Sequence, residues 1–389
     1  MSVALHPGAG ASEARSDRPA VPAGFVAPGE ALARIDLVLV GARGQVGSAL
    51  RRQLDRRRAW LREHTGVDYT LLAAFDRRGF AHDLQGLQLA TFEQLLQPRR
   101  DNDVELLFSR LTRPGATPTV FIDCTASDEV ADWYPRLLSG GVGVVGANKR
   151  ANARSLFHFH ELQRLSRRHR APYRYETTVG AAIPVLGPIR DLRLRGETIR
   201  SLQGVLSGSL SHILYRLHEG SAFSEAVREA CGLGLTEPDP FEDLRAQDLA
   251  RKLLVLGREA GFPLELESVT IESLVDESDG VDDASTCLRA RLSAHDAHWQ
   301  SRVAAALARG ERLVMVAQVD ANGGRVGIQS LPAASPLAQL KPGENLVLVH
   351  TDLQSATPLA LGGKGAGAEI TAAGVFSDIV AAANQLLRR

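Results

Sequence analysis

At 389 residues, with 44% hydrophobic and 23% charged side chains, the chain is long enough for two globular domains that each bury a core. Its 45 basic and 45 acidic residues balance, which argues against a global field drawing in nucleic acid or anionic membrane, and no uninterrupted apolar stretch reaches the ~18 residues of a membrane span. The cysteines Cys124, Cys231 and Cys287 lack CxxC spacing and are odd in number, which argues against a disulfide framework or a cysteine zinc site and fits a reducing cytoplasm.

Residues 1–34, rich in Ala, Pro, Gly and Ser, show neither the apolar core of a secretory signal nor any periodicity, and read as a flexible tail. IDLVLV (35–40) is an apolar run of strand length; GARGQVG follows it, and SALRRQLDRRRAWLREH is then predicted as a helix whose basic cluster is a solvated face. YTLLAAF (69–75), ending at Asp76, TVFIDC and VGVVGA (142–147) read as further strands with helical stretches between them. The alternation predicts an α/β fold, with a Rossmann-like dinucleotide-binding domain over 35–172 completed by 343–389. After Tyr173 come VGAAIPVLG, a helical run to Arg195, the strand-like IRSLQGVL, and SGSLSHILYRLHEG with two more helical segments. Residues 312–331 read as a hairpin turning through ANGG. Together these predict a second, α+β domain over 173–342 that binds substrate. GGKGAGAEITAAG and a helix to Arg389 close the chain.

Gly41, Gly44 and Gly47 are spaced G-x-x-G-x-x-G around Arg43, Gln45 and Val46, between a first strand and a long helix. There, backbone amides approach a pyrophosphate and the helix N-terminus favours its charge; a purely structural turn has the same spacing, and placement after the opening strand favours the dinucleotide. Asp76 suits a ribose hydroxyl, whereas Arg43, Arg77 and Arg78 suit a 2′-phosphate, so NAD and NADP both stand.

Only four lysines stand against 41 arginines. Arginine never gives up its proton, whereas a desolvated lysine can, so each lysine merits scrutiny. Lys149 ends VGVVGANK just after a strand, and Lys252 follows the acid-rich GLTEPDPFEDLRAQDLAR. The prolines of Glu237-Pro-Asp-Pro240 set a rigid turn ahead of a helix carrying Asp243, Asp248 and Lys252. Asp248 and Lys252 share a helix face; the spacing alone favours an exposed pair contributing ~0.5 kcal/mol, and the scarcity of lysine with carboxylates converging from one rigid segment tips the balance to proton chemistry. Gly208 and Ser209 lie at a helix start suited to a substrate carboxylate or to simple capping, and residues 176–182 suit a hard cation or a plain turn. No histidine pair has ligand spacing.

Five blocks carry a resemblance: VFIDCTASDEVADWYPRLLSGGVGVVGANKRAN, YETTVGAAIPVL, GVLSGSLSHILYRLHEG, GLTEPDPFEDLRAQDLARKLLVLGREAG and GGKGAGAEITAAGVFSD. In this order they resemble homoserine dehydrogenase, most closely the dehydrogenase portion of the bifunctional aspartokinase–homoserine dehydrogenases, from about residue 35 onward. The resemblance implies reversible hydride transfer between NAD or NADP and aspartate 4-semialdehyde, giving L-homoserine for threonine and methionine synthesis. It implies that Lys252, oriented by Asp248, protonates the nascent alkoxide, with Lys149 as electrostatic or relay partner. Glu237 would hold the substrate ammonium, and Asp243 with Gly208 and Ser209 would complete the pocket. Thr125, Ala126, Asn148 and the Gly365-Ala366-Gly367 loop would line the cofactor. Glu176 and the carbonyls of Val179, Ala181 and Ile183 would form a sodium site. A homodimer paired through the second domain is expected.

Departures from the family pattern are the longer GARGQVG turn, Leu235 where tyrosine is common, and Ala182 and Ala246 at usual glycines. No aspartokinase segment precedes residue 35 and no regulatory domain follows Arg389, so the expectation is a stand-alone enzyme insensitive to physiological threonine. A related amino-acid semialdehyde dehydrogenase and a catalytically silent, partner-binding paralogue are the competing readings; the full set Lys149, Glu237, Asp248 and Lys252 weighs against the second.

Overall fold

A computed structural model describes residues 32–88, 92–100, 102–237, 239–276 and 288–388. Most of the expected tail, Pro238 and Cys287 lie outside the described residues. IDLVLV forms the centre of β1 (Ala33–Val40) and is buried from Ile35 to Val40, as a run apolar on both faces must be in a central parallel strand. The strand starts at Ala33, inside the expected tail, because the Ala33 amide bonds the Gly66 carbonyl at 3.0 Å and Arg34 pairs with Asp36 at 2.7 Å.

The first helix, Gln45–Thr65, begins directly after the glycine turn and stops at Gly66, whose φ of 67° is left-handed. The first sheet then adds β2 (Val67–Phe75), β3 (Gly79–His82), β4 (Gln97–Pro98), β5 (Thr119–Asp123), β6 (Gly143–Gly146) and β7 (Tyr173–Arg174). Its order is β4-β3-β2-β1-β5-β6-β7, parallel from β2 to β7 with an antiparallel edge. The chain runs one way from β1 to β2 and the other way to β5, so a topological switch point opens beside β1.

The second sheet contains β8 (Ile199–Val205), β9 (Thr270–Ile271), β10 (Glu311–Asp320), β11 (Gly323–Pro332), β12 (Glu344–Thr351) and β13 (Leu359–Lys364), in the order β13-β12-β8-β10-β11-β9. The β10–β11 hairpin pairs Asp320 with Gly323 and turns on Ala321 and Asn322. One apolar cluster runs from β5 and β6 through helices Leu186–Leu194, Gly208–His218 and Gln247–Ala260 to the second sheet, holding the two sheets as neighbours across a continuous core.

The expected domain limits need two corrections. Tyr173 and Arg174 form β7 and pair with Val144 and Val145, so they belong to the first sheet. Residues 344–364 join the second sheet instead of the first: β12 pairs with β8 from Leu346↔Val205 to Val349↔Leu202 and carries β13 on its other side. Only the helix Ala368–Leu387 returns to the first sheet, burying Ala372, Val375, Phe376, Ile379 and Ala383 in the cluster that holds β1 and helix Gln45–Thr65. By length and composition that helix is long and apolar enough to cross a membrane, although Glu369 and Asp378 interrupt its apolar run. Half of its apolar stretch is buried inside the structure, as in the core helix of a globular fold.

Candidate active site

The parallel strands deliver the residues after their C-terminal ends to one edge of the first sheet: Gly41 after β1, Thr125 and Ala126 after β5, Asn148 and Lys149 after β6. Gly41 turns with φ 79°, which glycine adopts without strain. A Cβ built on Gly41 would stand 2.7 Å from the Cys124 carbonyl oxygen, and one on Gly47 would stand 2.2 Å from the Gly41 carbonyl oxygen. The cradle therefore tolerates no side chain at either position. Gly44 precedes the helix with no side-chain cap, so the amides of Gln45, Val46 and Gly47 form an N-terminus suited to a pyrophosphate. These features fit a dinucleotide.

Arg43 reaches across the turn and grips Asp76 with two hydrogen bonds of 2.5 and 2.7 Å. The amides of Arg78 and Gly79 also donate to Asp76 Oδ1, at 2.8 and 3.1 Å. Hydrogen bonding from Arg43, aided by these amides, holds the Asp76 carboxyl at about 2. Arg77 is exposed beside it. Asp123, which the sequence reading passed over, closes β5 fully buried and accepts from the Thr125 amide (2.8 Å), Tyr134 hydroxyl (2.8 Å) and Asn148 Nδ2 (2.9 Å). Burial raises its carboxyl, and a charge ending an apolar strand was the available signal. Asn148 Nδ2 also donates to the Ser127 carbonyl at 2.8 Å, so its side chain is committed to the turn that carries Lys149.

Lys149 and Lys252 share one carboxylate. Lys149 Nζ lies 2.5 Å from Asp248 Oδ1 and Lys252 Nζ lies 2.9 Å from Asp248 Oδ2. Lys252 also donates to the Leu206 carbonyl at 2.9 Å, tying helix Gln247–Ala260 to the end of β8. Burial pushes Lys149 down from the usual lysine value and the Lys252 charge adds to this, against Asp248 and Glu237. Burial would raise Asp248, but the charges of Lys252 and Lys149 hold it well below the usual carboxylate range.

On the facing wall, Ser207 caps helix Gly208–His218 by accepting from the Leu210 amide at 3.3 Å. Ser209 Oγ donates to Asp243 Oδ1 at 2.7 Å, while Asp243 Oδ2 accepts the Glu237 amide at 2.8 Å. Asp243 thus holds the backbone of Glu237, whose side chain is exposed. The loop Gly365–Gly367 returns here, since a Cβ on Gly208 would stand 3.9 Å from Ala366 Cβ.

Glu176 sits apart from the lysines. Its carboxylate accepts the amides of Val185 (2.6 Å), Leu186 (2.5 Å) and Gly187 (2.8 Å), so it caps helix Leu186–Leu194. Val179, Ala181 and Ile183 follow in the adjoining buried turn. Left-handed backbone there falls on Gly180 (φ 75°) and Ala181 (φ 57°), so the alanine in a glycine-like conformation is Ala181 and not Ala182. Ala246, by contrast, is left-handed as its glycine-type position implies, with φ 55°. Leu235 is exposed two residues before Glu237.

Residues 184–380 match the family model described as homoserine dehydrogenase, and residues 43–176 match the one described as the NAD-binding domain of homoserine dehydrogenase. The chain belongs to the homoserine dehydrogenase family. A bifunctional aspartokinase/homoserine dehydrogenase of Haemophilus influenzae is 36% identical over 347 residues, covering 89% of this chain and 42% of that protein. The chain therefore spans about two fifths of the length of such curated relatives. Among solved structures, a Candida auris protein of unknown function superposes with a TM-score of 0.83 at 31% identity, covering 91% of this chain and 99% of that one. A hyperthermophilic archaeal homoserine dehydrogenase in complex with NADPH shares the fold at a TM-score of 0.69 and 24% identity, covering 90% and 98%.

Proposed function

We propose that the chain catalyses the reversible NAD(P)-dependent reduction of L-aspartate 4-semialdehyde to L-homoserine. The observation that carries this reading is the Lys149–Asp248–Lys252 cluster, set between the dinucleotide cradle and the Glu237 wall. A nicotinamide cofactor, when bound, supplies the hydride. Lys252 spends two of its three N–H donors on Asp248 and Leu206, which leaves the third for the substrate's aldehyde oxygen and then for protonating the alkoxide. Lys149 adds a second positive charge to the developing oxyanion, and ionised Asp248 keeps the two ammonium groups together. Glu237 takes the substrate ammonium, and the N-terminus of helix Gly208–His218 takes its carboxylate.

The Arg43–Asp76 pair favours NADPH over NADH. A carboxylate already gripped by a guanidinium is a poor acceptor for ribose hydroxyls, whereas Arg43, Arg77 and Arg78 together favour a phosphate. A sodium ion is proposed at Glu176, whose half-buried carboxyl adjoins the turn of Val179, Ala181 and Ile183; among the described residues no hydrogen bond to those three carbonyls is found. Bound there, sodium would brace the turn between β7 and helix Leu186–Leu194. The protein is proposed to act as a cytoplasmic homodimer.

The test is turnover of purified protein with aspartate semialdehyde, followed by loss of the reduced cofactor's absorbance. Oxidation of NADPH faster than NADH, with homoserine as product, is expected. Folded protein that oxidises neither, or that prefers another amino-acid semialdehyde, would overturn the reading.

A further inference from the structure

Arg258 lies on the same helix as Asp248 and Lys252, Gln247–Ala260, and its side chain is completely buried. Its guanidinium spans four acceptors. Nη1 donates to the carbonyls of Asn152 (2.8 Å) and Arg154 (2.5 Å), Nε to the Leu264 carbonyl (3.0 Å), and Nη2 to Glu265 Oε2 (2.7 Å). Glu265 Oε1 in turn accepts the Leu156 amide at 2.8 Å. Residues 152–156 are thereby fixed to the C-terminal end of the helix.

The same segment starts at Lys149. The Ala153 amide bonds the Lys149 carbonyl at 3.0 Å, closing the short turn Ala151–Ala153, and buried Asn152 is held a second way by the Tyr173 hydroxyl on its Oδ1 at 2.8 Å. The chain from Lys149 to Leu156 therefore lies along one helix and is pinned at both ends, by Lys149 on Asp248 and by the Arg258–Glu265 pair. Asp248 and Arg258 are ten residues apart, about 15 Å along the axis, so the two pins set both the position and the direction of the segment.

A fully buried guanidinium is a poor device for stability alone, since desolvation offsets most of its attraction and a packed apolar side chain serves as well. What it supplies is geometry: a planar fork with fixed donors that engages two carbonyls of one turn at once, which a lysine ammonium cannot reproduce. We propose that Arg258 is a positioning residue for proton transfer, holding the turn that begins at Lys149 so that Lys149 Nζ meets Asp248. This rests on the role of Lys149 proposed above, and Lys149 is faced by Asp248 and Lys252 from the helix and by Glu237 from the loop before Pro240.

Four lysines in the chain allow the idea to be read without activity. Protein labelled with 13C at lysine Cε gives a small set of signals in which Lys149 is assigned with Lys149→Arg, and its titration is followed in wild type and Arg258→Lys. In Arg258→Lys the Lys149 titration shifts away from its wild-type value, because contact with Asp248 raises it while burial and Lys252 lower it, and kcat for aspartate semialdehyde falls ~10–100-fold while the KM for cofactor holds, the loss expected when a reacting group shifts by about 1 Å. An unchanged titration and kcat in folded Arg258→Lys would overturn the proposal. If that variant does not fold, Glu265→Gln, at a half-exposed position, decides by the same two readouts: a smaller change in the same direction supports the proposal, and none overturns it. Should wild type turn over no semialdehyde, the functional reading fails and the lysine titration alone judges this one.

Discussion

Asp248 is one carboxylate between two ammonium groups, so its loss does more than delete a hydrogen bond. Asp248→Asn leaves Lys149 and Lys252 as unshielded like charges, and kcat should fall ~10²–10⁴-fold with cofactor binding unchanged, measured by steady-state rates and by fluorescence titration. The pH profile follows from the same pair. Lys149 is lowered, so its charged form is lost as pH rises through a value below the ordinary ~10.4, and kcat should decline on that alkaline limb. Asp248 is held low and stays ionised, so no acid limb from it should appear above pH ~4. A kcat that is flat to the ordinary lysine value would contradict this.

At the other end of the cleft, Arg43→Ala removes the proposed phosphate partner and releases the Asp76 carboxylate; the KM for NADPH should rise about tenfold or more while that for NADH falls. The two lysines were legible in the sequence because lysine is scarce. Arg258 was not, because one buried guanidinium among 41 arginines carries no local mark.

At the scale of elements, helix Gln247–Ala260 starts from an alanine in left-handed backbone. That conformation costs ~1–2 kcal/mol for alanine, and glycine's extra chain entropy returns ~0.5–1 kcal/mol of the difference. Ala246→Gly should therefore raise stability by up to about 1 kcal/mol, read from the urea midpoint at unchanged slope; a loss of more than 1 kcal/mol would show that the Ala246 methyl, which is buried, is needed for packing. The sequence revealed the strands of the first sheet because each is a local apolar run bounded by turn residues. It did not reveal that β12 and β13 join the second sheet, since pairing β12 with β8 links residues some 145 apart and leaves no local pattern. The start of the first helix was missed by three residues because QVG reads as turn when the helix N-terminus has no capping side chain.

At the scale of the molecule, two sheets share a core and the proposed site lies where their loops meet. Lys149 comes from the first sheet's edge, Lys252 and Asp248 from a helix beneath the second, and Glu237 and Ser209 from the wall opposite, all within one chain. The proposed homodimer should give a mass of twice 41.8 kDa by light scattering. The order of the motifs made this overall arrangement legible, whereas the contacts that seat one lysine against another element arise only on folding.

The most direct test uses NADPH carrying deuterium at the transferable position, aspartate semialdehyde, and mass spectrometry of the product. Wild type should yield homoserine with a single deuterium on the former aldehyde carbon, and Lys252→Ala should bind the cofactor yet yield almost none. Unlabelled homoserine, or equal formation by the variant, would contradict hydride transfer assisted by Lys252.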